Sequence, residues 1–268
     1  MTITRHKQAK SILSKASGFA NAFDFTLNPY SGCTFACEYC YAAFFAPTDE
    51  QQETWGTWVE VKENALHLLK KFRTRPLTDK TIYMSTVTDP YQPIERKLEL
   101  TRSILRELLD YHQPRLMVQT RSPLVTRDID LLKQFTHVRV NMTVTTDDDS
   151  VRRAFEPTCP SNAQRLEAIT TVSQAGVETC ITMTPLLPVQ NAATFAETLK
   201  STGARLFVIQ HFHTNKHRFA AGTGEAALKL LAERGWTHAD YQRVRLILSA
   251  ALPNLLEGKS GFAPAWDT

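Results

Sequence analysis

No apolar run in these 268 residues approaches the roughly 18 that a membrane span needs. The most apolar late segment, Leu246 to Leu256, is short and broken by Pro253. The N-terminus, Met1 to Ala16, is basic and polar and lacks the apolar centre of a secretory signal. Glycine is scarce, at 10 residues, and neither an internal repeat nor a low-complexity linker interrupts the chain. The composition, with 43% hydrophobic residues, excludes a largely disordered or collagen-like chain. Five cysteines, three of them within eight residues, do not make a secreted disulfide framework. The expectation is a cytoplasmic protein with no membrane contact, monomeric, holding a metal or cluster in a reducing compartment. A net charge of +4 permits a polyanionic partner without requiring one.

Strand-like and helix-like segments alternate along the chain. Strands are predicted at 23–32, Thr81 to Thr86, Arg115 to Thr120, Val138 to Thr145, Val177 to Thr184 and Leu206 to Gln210. Apolar residues at helical spacing predict helices at Val59 to Phe72, Leu98 to Leu109 and Arg127 to Phe135. Further helices are predicted from Ser161, a capping residue, to Gln174, then at Ala192 to Ser201, Glu225 to Glu233 and Ala239 to Ala251, with Asp147-Asp148-Asp149 read as an acidic turn. About six βα units imply a parallel sheet, either an open (β/α)6 barrel or a doubly wound sheet. In both, chemistry belongs at the C-terminal ends of the strands. The division expected is an N-terminal arm at 1–25, a core at 26–210 and a helical extension at 211–268 packed on that core.

The densest chemical signal is Gly32-Cys33-Thr-Phe-Ala-Cys37-Glu-Tyr-Cys40-Tyr41, a C-x3-C-x2-C pattern. Short loops of two or three residues let several thiolates face one centre, as a cubane iron–sulfur cluster requires. Gly32 lets the backbone turn closely, and Phe35, Tyr39 and Tyr41 would screen the centre from water. Three ligands rather than four would leave one iron open to a substrate. Structural zinc instead wants four ligands, usually as two separated pairs. A fourth would have to come from Cys159, Cys180 or a histidine, none of them close by in sequence. Three ordinary core cysteines are the remaining alternative.

The cysteine pattern, with an aromatic before its last member, resembles the signature of the radical S-adenosylmethionine superfamily. Asn28-Pro29-Tyr30-Ser31-Gly32-Cys33, Cys40-Tyr41, Thr88-Asp89-Pro90-Tyr91-Gln92-Pro93-Ile94-Glu95, Glu156-Pro157 and Ala175-Gly176 are similar to its spore photoproduct lyase-like branch. The resemblance covers about residues 26 to 210. It implies an α/β fold, the partial (β/α)6 barrel with a parallel sheet and outer helices. It also implies a [4Fe–4S] cluster on Cys33, Cys37 and Cys40, with S-adenosylmethionine chelated at the open iron and cleaved reductively to a 5′-deoxyadenosyl radical.

The resemblance further implies cofactor contacts. Tyr39 would line the adenine pocket, although it could equally pack over the cysteine loop. Ser85, Thr88 and Asp89, at the end of the second strand, would meet the cofactor's amino group; Thr-Asp-Pro is also a good turn. Thr120-Arg121-Ser122 stands where the related lyases carry Thr-Lys-Ser, and Arg121 would meet the carboxylate through its bidentate fork. Asn141 and Thr143 share one face of the fourth strand and could bond the ribose or simply fill the barrel. The lyases' hydrogen-donating cysteine has no counterpart in Ser85-Thr86. Cys159 or Cys180 would have to substitute, the second more in keeping with a core position. The histidines at 211, 213 and 217, with Lys216, Arg218, Phe212 and Phe219, could contact phosphates or bases, or form a solvated loop. The partners implied are an electron donor such as flavodoxin or ferredoxin and a nucleic-acid substrate of the DNA-lesion type. The competing reading is a nucleic-acid-binding or regulatory protein with a structural or redox-sensing cluster.

Overall fold

The computed structural model describes residues 2–212, 225–264 and 266. Its strands are β1 (Ile3–Lys7), β2 (Leu13–Lys15), β3 (Phe25–Leu27), β4 (Tyr30–Ser31), β5 (Trp58–Lys62), β6 (Thr81–Met84), β7 (Arg115–Thr120), β8 (Val138–Thr143), β9 (Glu178–Met183), β10 (Leu206–Ile209) and β11 (Leu255–Glu257). Seven of them, β3, β6, β7, β8, β9, β10 and β11, pair in that spatial order and all in parallel. Chain order and spatial order therefore run together, as in a barrel rather than a doubly wound sheet whose order reverses. The sheet ends at β11 on one side and at β2, antiparallel to β3, on the other. It is an open, partial barrel.

The two faces of this sheet differ in kind because side chains alternate along each strand. Leu116, Val118, Val140, Met142, Ile181 and Met183 join the large apolar core beneath the outer helices. The other face carries Tyr83, Met117, Cys180 and Val208, packed with Phe262. Interleaved on it are polar groups that bond one another. Gln119 Nε2 donates to Thr143 Oγ1 at 2.8 Å and to Thr182 Oγ1 at 3.1 Å, while Tyr83 Oη donates to Gln119 Oε1 at 2.9 Å. Buried polar groups satisfied in this way hold a fixed interior instead of a greasy one.

Local sequence explains the outer elements. The Ser161 side chain accepts from Gln164 N–H and Gln164 reciprocates, a capping box that starts helix Asn162–Gln174. Helix Ala192–Ser201 is capped by Asn191, and helix Glu225–Glu233 runs where its periodicity places it. Helix His238–Ala251 buries Tyr241, Val244 and Leu248 in the main core.

Two sequence expectations are corrected. Val59 to Phe72 is not one helix: Trp58–Lys62 is β5, and a helix follows only at Ala65–Lys70. Val59 and Val61 alternate as a strand, and β5 finds partners on both sides, β1 in parallel and β4 in antiparallel. The N-terminal segment supplies the parallel partner, Ile3–Lys7, and its residues 13–15 pair with β3. The acidic turn at 147–149 also starts a helix. Asp148 accepts from Ser150 and Val151 N–H groups and caps Asp149–Phe155.

Candidate active site

The cysteine loop lies across the C-terminal ends of the barrel strands, backed by β5. Gly32 has φ +76°, and a Cβ there would stand 2.6 Å from the Trp58 ring and 2.7 Å from the Trp58 carbonyl oxygen. Only glycine fits a position that is both left-handed and this crowded. The loop is part of an apolar cluster in which Phe35 and Tyr39 meet Val151, Phe155, Phe212, Ala227 and Leu231, from helices Asp149–Phe155 and Glu225–Glu233 and the chain after β10. Cys33, Cys37 and Cys40 line one cavity of about 260 Å³. Burial pushes the Cys33 thiol well above its ordinary value and the Cys40 thiol up to about 11. Cys37 goes the other way: a hydrogen bond from Cys159 and the charge of Arg121 outweigh its burial and lower it.

The segment after β6 grips this loop through neutral groups. Thr88 Oγ1 donates to Gly32 O at 2.6 Å, and Gln92 Oε1 accepts from Thr34 N–H at 3.2 Å. Asn28 Oδ1 accepts from the N–H groups of Thr86 at 3.0 Å and Val87 at 3.2 Å, fixing the strand end against the chain that enters the loop. Asp89 is buried, and its carboxylate accepts from Tyr91 N–H at 2.9 Å, Thr120 Oγ1 at 2.7 Å and Arg121 N–H at 2.9 Å. It ties the ends of β6 and β7 together; burial raises its pKa despite those bonds. Ser85 stands apart. It has φ +75°, it lines the cavity, and its buried hydroxyl has no hydrogen-bond partner. A strained residue presenting an unsatisfied polar atom to a cavity is an arrangement in which a ligand completes the hydrogen bonding.

The segment after β8 grips the loop from the other side, through charge. Glu156 is fully buried and accepts from the Tyr39 hydroxyl, from Thr145 Oγ1 at 3.1 Å and from Arg121 Nη1 at 3.2 Å. Its second oxygen meets Arg165 Nη2 at 2.6 Å. Burial alone would raise the Glu156 carboxyl; the charges of Arg165 and Arg121 and the Tyr39 bond hold it at about 2. Backbone and side-chain bonds repeat the contact: Glu38 N–H to Phe155 O at 2.9 Å, Thr158 Oγ1 to Thr34 O at 2.7 Å and Cys159 Sγ to Phe35 O at 3.4 Å.

Of the residues singled out from sequence, Cys33, Cys37, Cys40, Tyr39, Ser85, Thr88, Asp89, Arg121 and Thr143 all line this one cavity. Asn141 does not. Two residues earlier on the same face of β8, its Nδ2 donates to Gln119 Oε1 at 3.2 Å. His211 and Phe212 line the cavity, with the His211 ring 4.7 Å from that of His238. The histidines at 213 and 217, with Lys216, Arg218 and Phe219, lie outside the described residues. Sequence spacing missed Arg165, Lys259 and Phe262, and named Cys159 only as a distant candidate. Cys159, distant along the chain, has its sulfur 3.7 Å from Cys37 Sγ. Arg165 is the buried counter-ion of Glu156. Lys259 and Phe262 reach the cavity from the C-terminal segment. Glu156-Pro157 also carried a hint, as part of the family resemblance.

Three cysteines lining one cavity, with an unsatisfied serine hydroxyl and an arginine on its walls, are the donor types that a cubane cluster with an open iron and a polar ligand beside it would need. The radical SAM superfamily profile matches residues 27–202. An uncharacterized protein of Methanocaldococcus jannaschii is 37% identical over 164 residues, which are 61% of this chain and 61% of that protein. An uncharacterized protein of Mycobacterium bovis is 32% identical over 197 residues, covering 69% of this chain and 57% of its own length. The chain thus spans about three fifths of the curated relatives it matches. In fold it is similar to spore photoproduct lyase, with a TM-score of 0.62 at 14% identity over 95% of this chain and 81% of that one. The structure of that lyase with bound AdoMet and dinucleoside spore photoproduct gives a TM-score of 0.61, at the same identity and coverage.

Proposed function

Because the chain belongs to the radical SAM superfamily, we propose that Cys33, Cys37 and Cys40 hold a [4Fe–4S] cluster and that the adjoining cavity binds S-adenosylmethionine and its substrate. The observation that carries this reading is the convergence of the three thiols on one cavity with the unsatisfied Ser85 hydroxyl. When bound, the cluster and S-adenosylmethionine together supply reductive cleavage to methionine and a 5′-deoxyadenosyl radical that takes a hydrogen atom from substrate.

The chain's own residues bind, orient and exclude water. Ser85, whose hydroxyl is unpartnered, would accept from the cofactor's ammonium, helped by the adjacent strand-end carbonyls and Asp89. Arg121, with five donors on one fork, has capacity for the cofactor carboxylate as well as for its protein partners. Thr143 and Tyr39, both lining the cavity, would serve the cofactor's ribose and adenine. Phe19, Tyr83 and Phe262, which pack edge to face, wall the far side of the cavity against solvent.

Substrate enters between the strand ends and the C-terminal segment, past Gln210, His211 and Lys259. By analogy of fold, the substrate class is nucleic acid with a lesion-like modification, and the electron comes from a flavodoxin- or ferredoxin-type donor. The photoproduct lyase reaction itself is not assigned. The strand end that faces the cavity offers Ser85 and Thr86 in place of a hydrogen-donating thiol, and Cys180 is buried within the sheet.

Anaerobically reconstituted, dithionite-reduced protein should form 5′-deoxyadenosine from S-adenosylmethionine, and Cys37→Ala should form none. Protein that binds a cluster yet yields no 5′-deoxyadenosine rejects the enzyme reading. A second reading, a structural or redox-sensing cluster, draws on Cys159: a thiol 3.7 Å from Cys37 is a candidate fourth ligand.

A further inference from the structure

Arg121 occupies an unusual position for a side chain lining a cofactor cavity. Its Nη1 lies 2.8 Å from Cys37 Sγ, 2.9 Å from the Tyr39 hydroxyl and 3.2 Å from Glu156 Oε1. Glu156 in turn pairs as an ion with Arg165, and neither has any side-chain exposure. A cation, an anion and a second cation therefore line up behind one cysteine of the three. Among the described residues, neither Cys33 nor Cys40 has a lysine or arginine within hydrogen-bond distance of its sulfur.

This asymmetry has an electrostatic consequence. Reducing a cluster adds an electron, and an N–H donor or positive charge at a ligand sulfur favours the reduced form. A buried carboxylate nearby does the reverse. Both effects are weakly screened, because Glu156 has no side-chain exposure and Arg121 is largely buried. Resting on the reading that the three cysteines hold a [4Fe–4S] cluster, we propose that Arg121 and Glu156 are positioning residues that set its reduction potential in opposite directions. Arg121 raises the potential through its bond to the Cys37 sulfur, and Glu156 moderates it by neutralising and orienting Arg121. The Tyr39 hydroxyl, shared by both, keeps the loop and the ion pair in one register.

The test is a redox titration of the full chain, reconstituted anaerobically and followed by electron paramagnetic resonance without S-adenosylmethionine. Iron and sulfide content is measured first; wild-type protein that takes up no cluster overturns both the cysteine reading and this one. In cluster-bearing protein, Arg121→Gln should lower the midpoint potential and Glu156→Gln should raise it. Arg121→Lys, which keeps the charge, should fall between Arg121→Gln and wild type. Shifts of the same sign in the Gln variants, or no shift, overturn the inference while leaving the cluster assignment standing. If Glu156→Gln assembles no cluster, Arg165→Gln takes its place. Losing that cation should lower the potential by less than Arg121→Gln does, and an unchanged or raised potential overturns the inference.

Discussion

The cysteine loop is held from two sides, and the two sides use different physics. After β6, Thr88 and Gln92 bond the loop's backbone through neutral groups, each interaction contributing about 1 kcal/mol net. After β8, Glu156 meets Arg121, Arg165 and Tyr39 in a buried charge network that is costly to break. The neutral side faces the cavity and leaves Ser85 unsatisfied there; the charged side reaches the sulfur of Cys37. One clamp places the loop, and the other also sets the electrical environment of what it would hold. The position of a ligand and the electronics of a cluster are thereby adjustable by different residues.

The sharpest way to break this contrast is Glu156→Ala. It strands the fully buried Arg165 and the largely buried Arg121, and should destabilise the fold by about 3–5 kcal/mol in denaturant unfolding. A loss no larger than that of a surface substitution would mean the network is not the buried clamp described. Gly32→Ala comes next, at about 2–4 kcal/mol, because it combines left-handed strain with a clash against Trp58. Gly176→Ala is its control. That glycine has φ +84° with nothing within 4 Å of the added Cβ, so strain alone should cost about 1 kcal/mol.

Asp148 tests the element that delivers the charged clamp. Burial would raise its carboxyl, but bonds from the Ser150 and Gln190 side chains and from the Ser150 and Val151 N–H groups hold it at about 2. A carboxyl held below its unfolded value stabilises the fold at higher pH and loses that contribution as pH falls toward the folded value. The urea midpoint should therefore drop between pH of about 4 and about 2, and Asp148→Asn should lose part of that slope. Thr88→Val is expected to have the smallest effect, about 1 kcal/mol, and to leave the cysteine loop in place. If it were as damaging as Glu156→Ala, the division between neutral and charged clamps would not hold.

What was legible in the sequence was local. The three-cysteine spacing, the capping box at Ser161 and the helices at Ala192–Ser201 and Glu225–Glu233 are set by residues a few positions apart. The strand ends that line the cavity followed from the alternation of β and α segments. What was not legible depends on distant partners. Val59 and Val61 are a strand because Ile3–Lys7 lies beside them, and no window around Val61 contains that information. Cys159 and Cys37 are 3.7 Å apart only once Glu156 has drawn its segment onto the loop. Arg165 sits on a helix whose pattern marks it as an ordinary polar position, and its burial is decided by the carboxylate it meets.

The central claim is that three thiols, not four, hold the cluster and leave one iron open. Electron paramagnetic resonance of the reduced, reconstituted protein with and without S-adenosylmethionine tests it most directly, with Cys159→Ala measured alongside. The cofactor should change the signal in both proteins, with the cluster of Cys159→Ala intact. A signal indifferent to S-adenosylmethionine, together with loss of the cluster in Cys159→Ala, would contradict it.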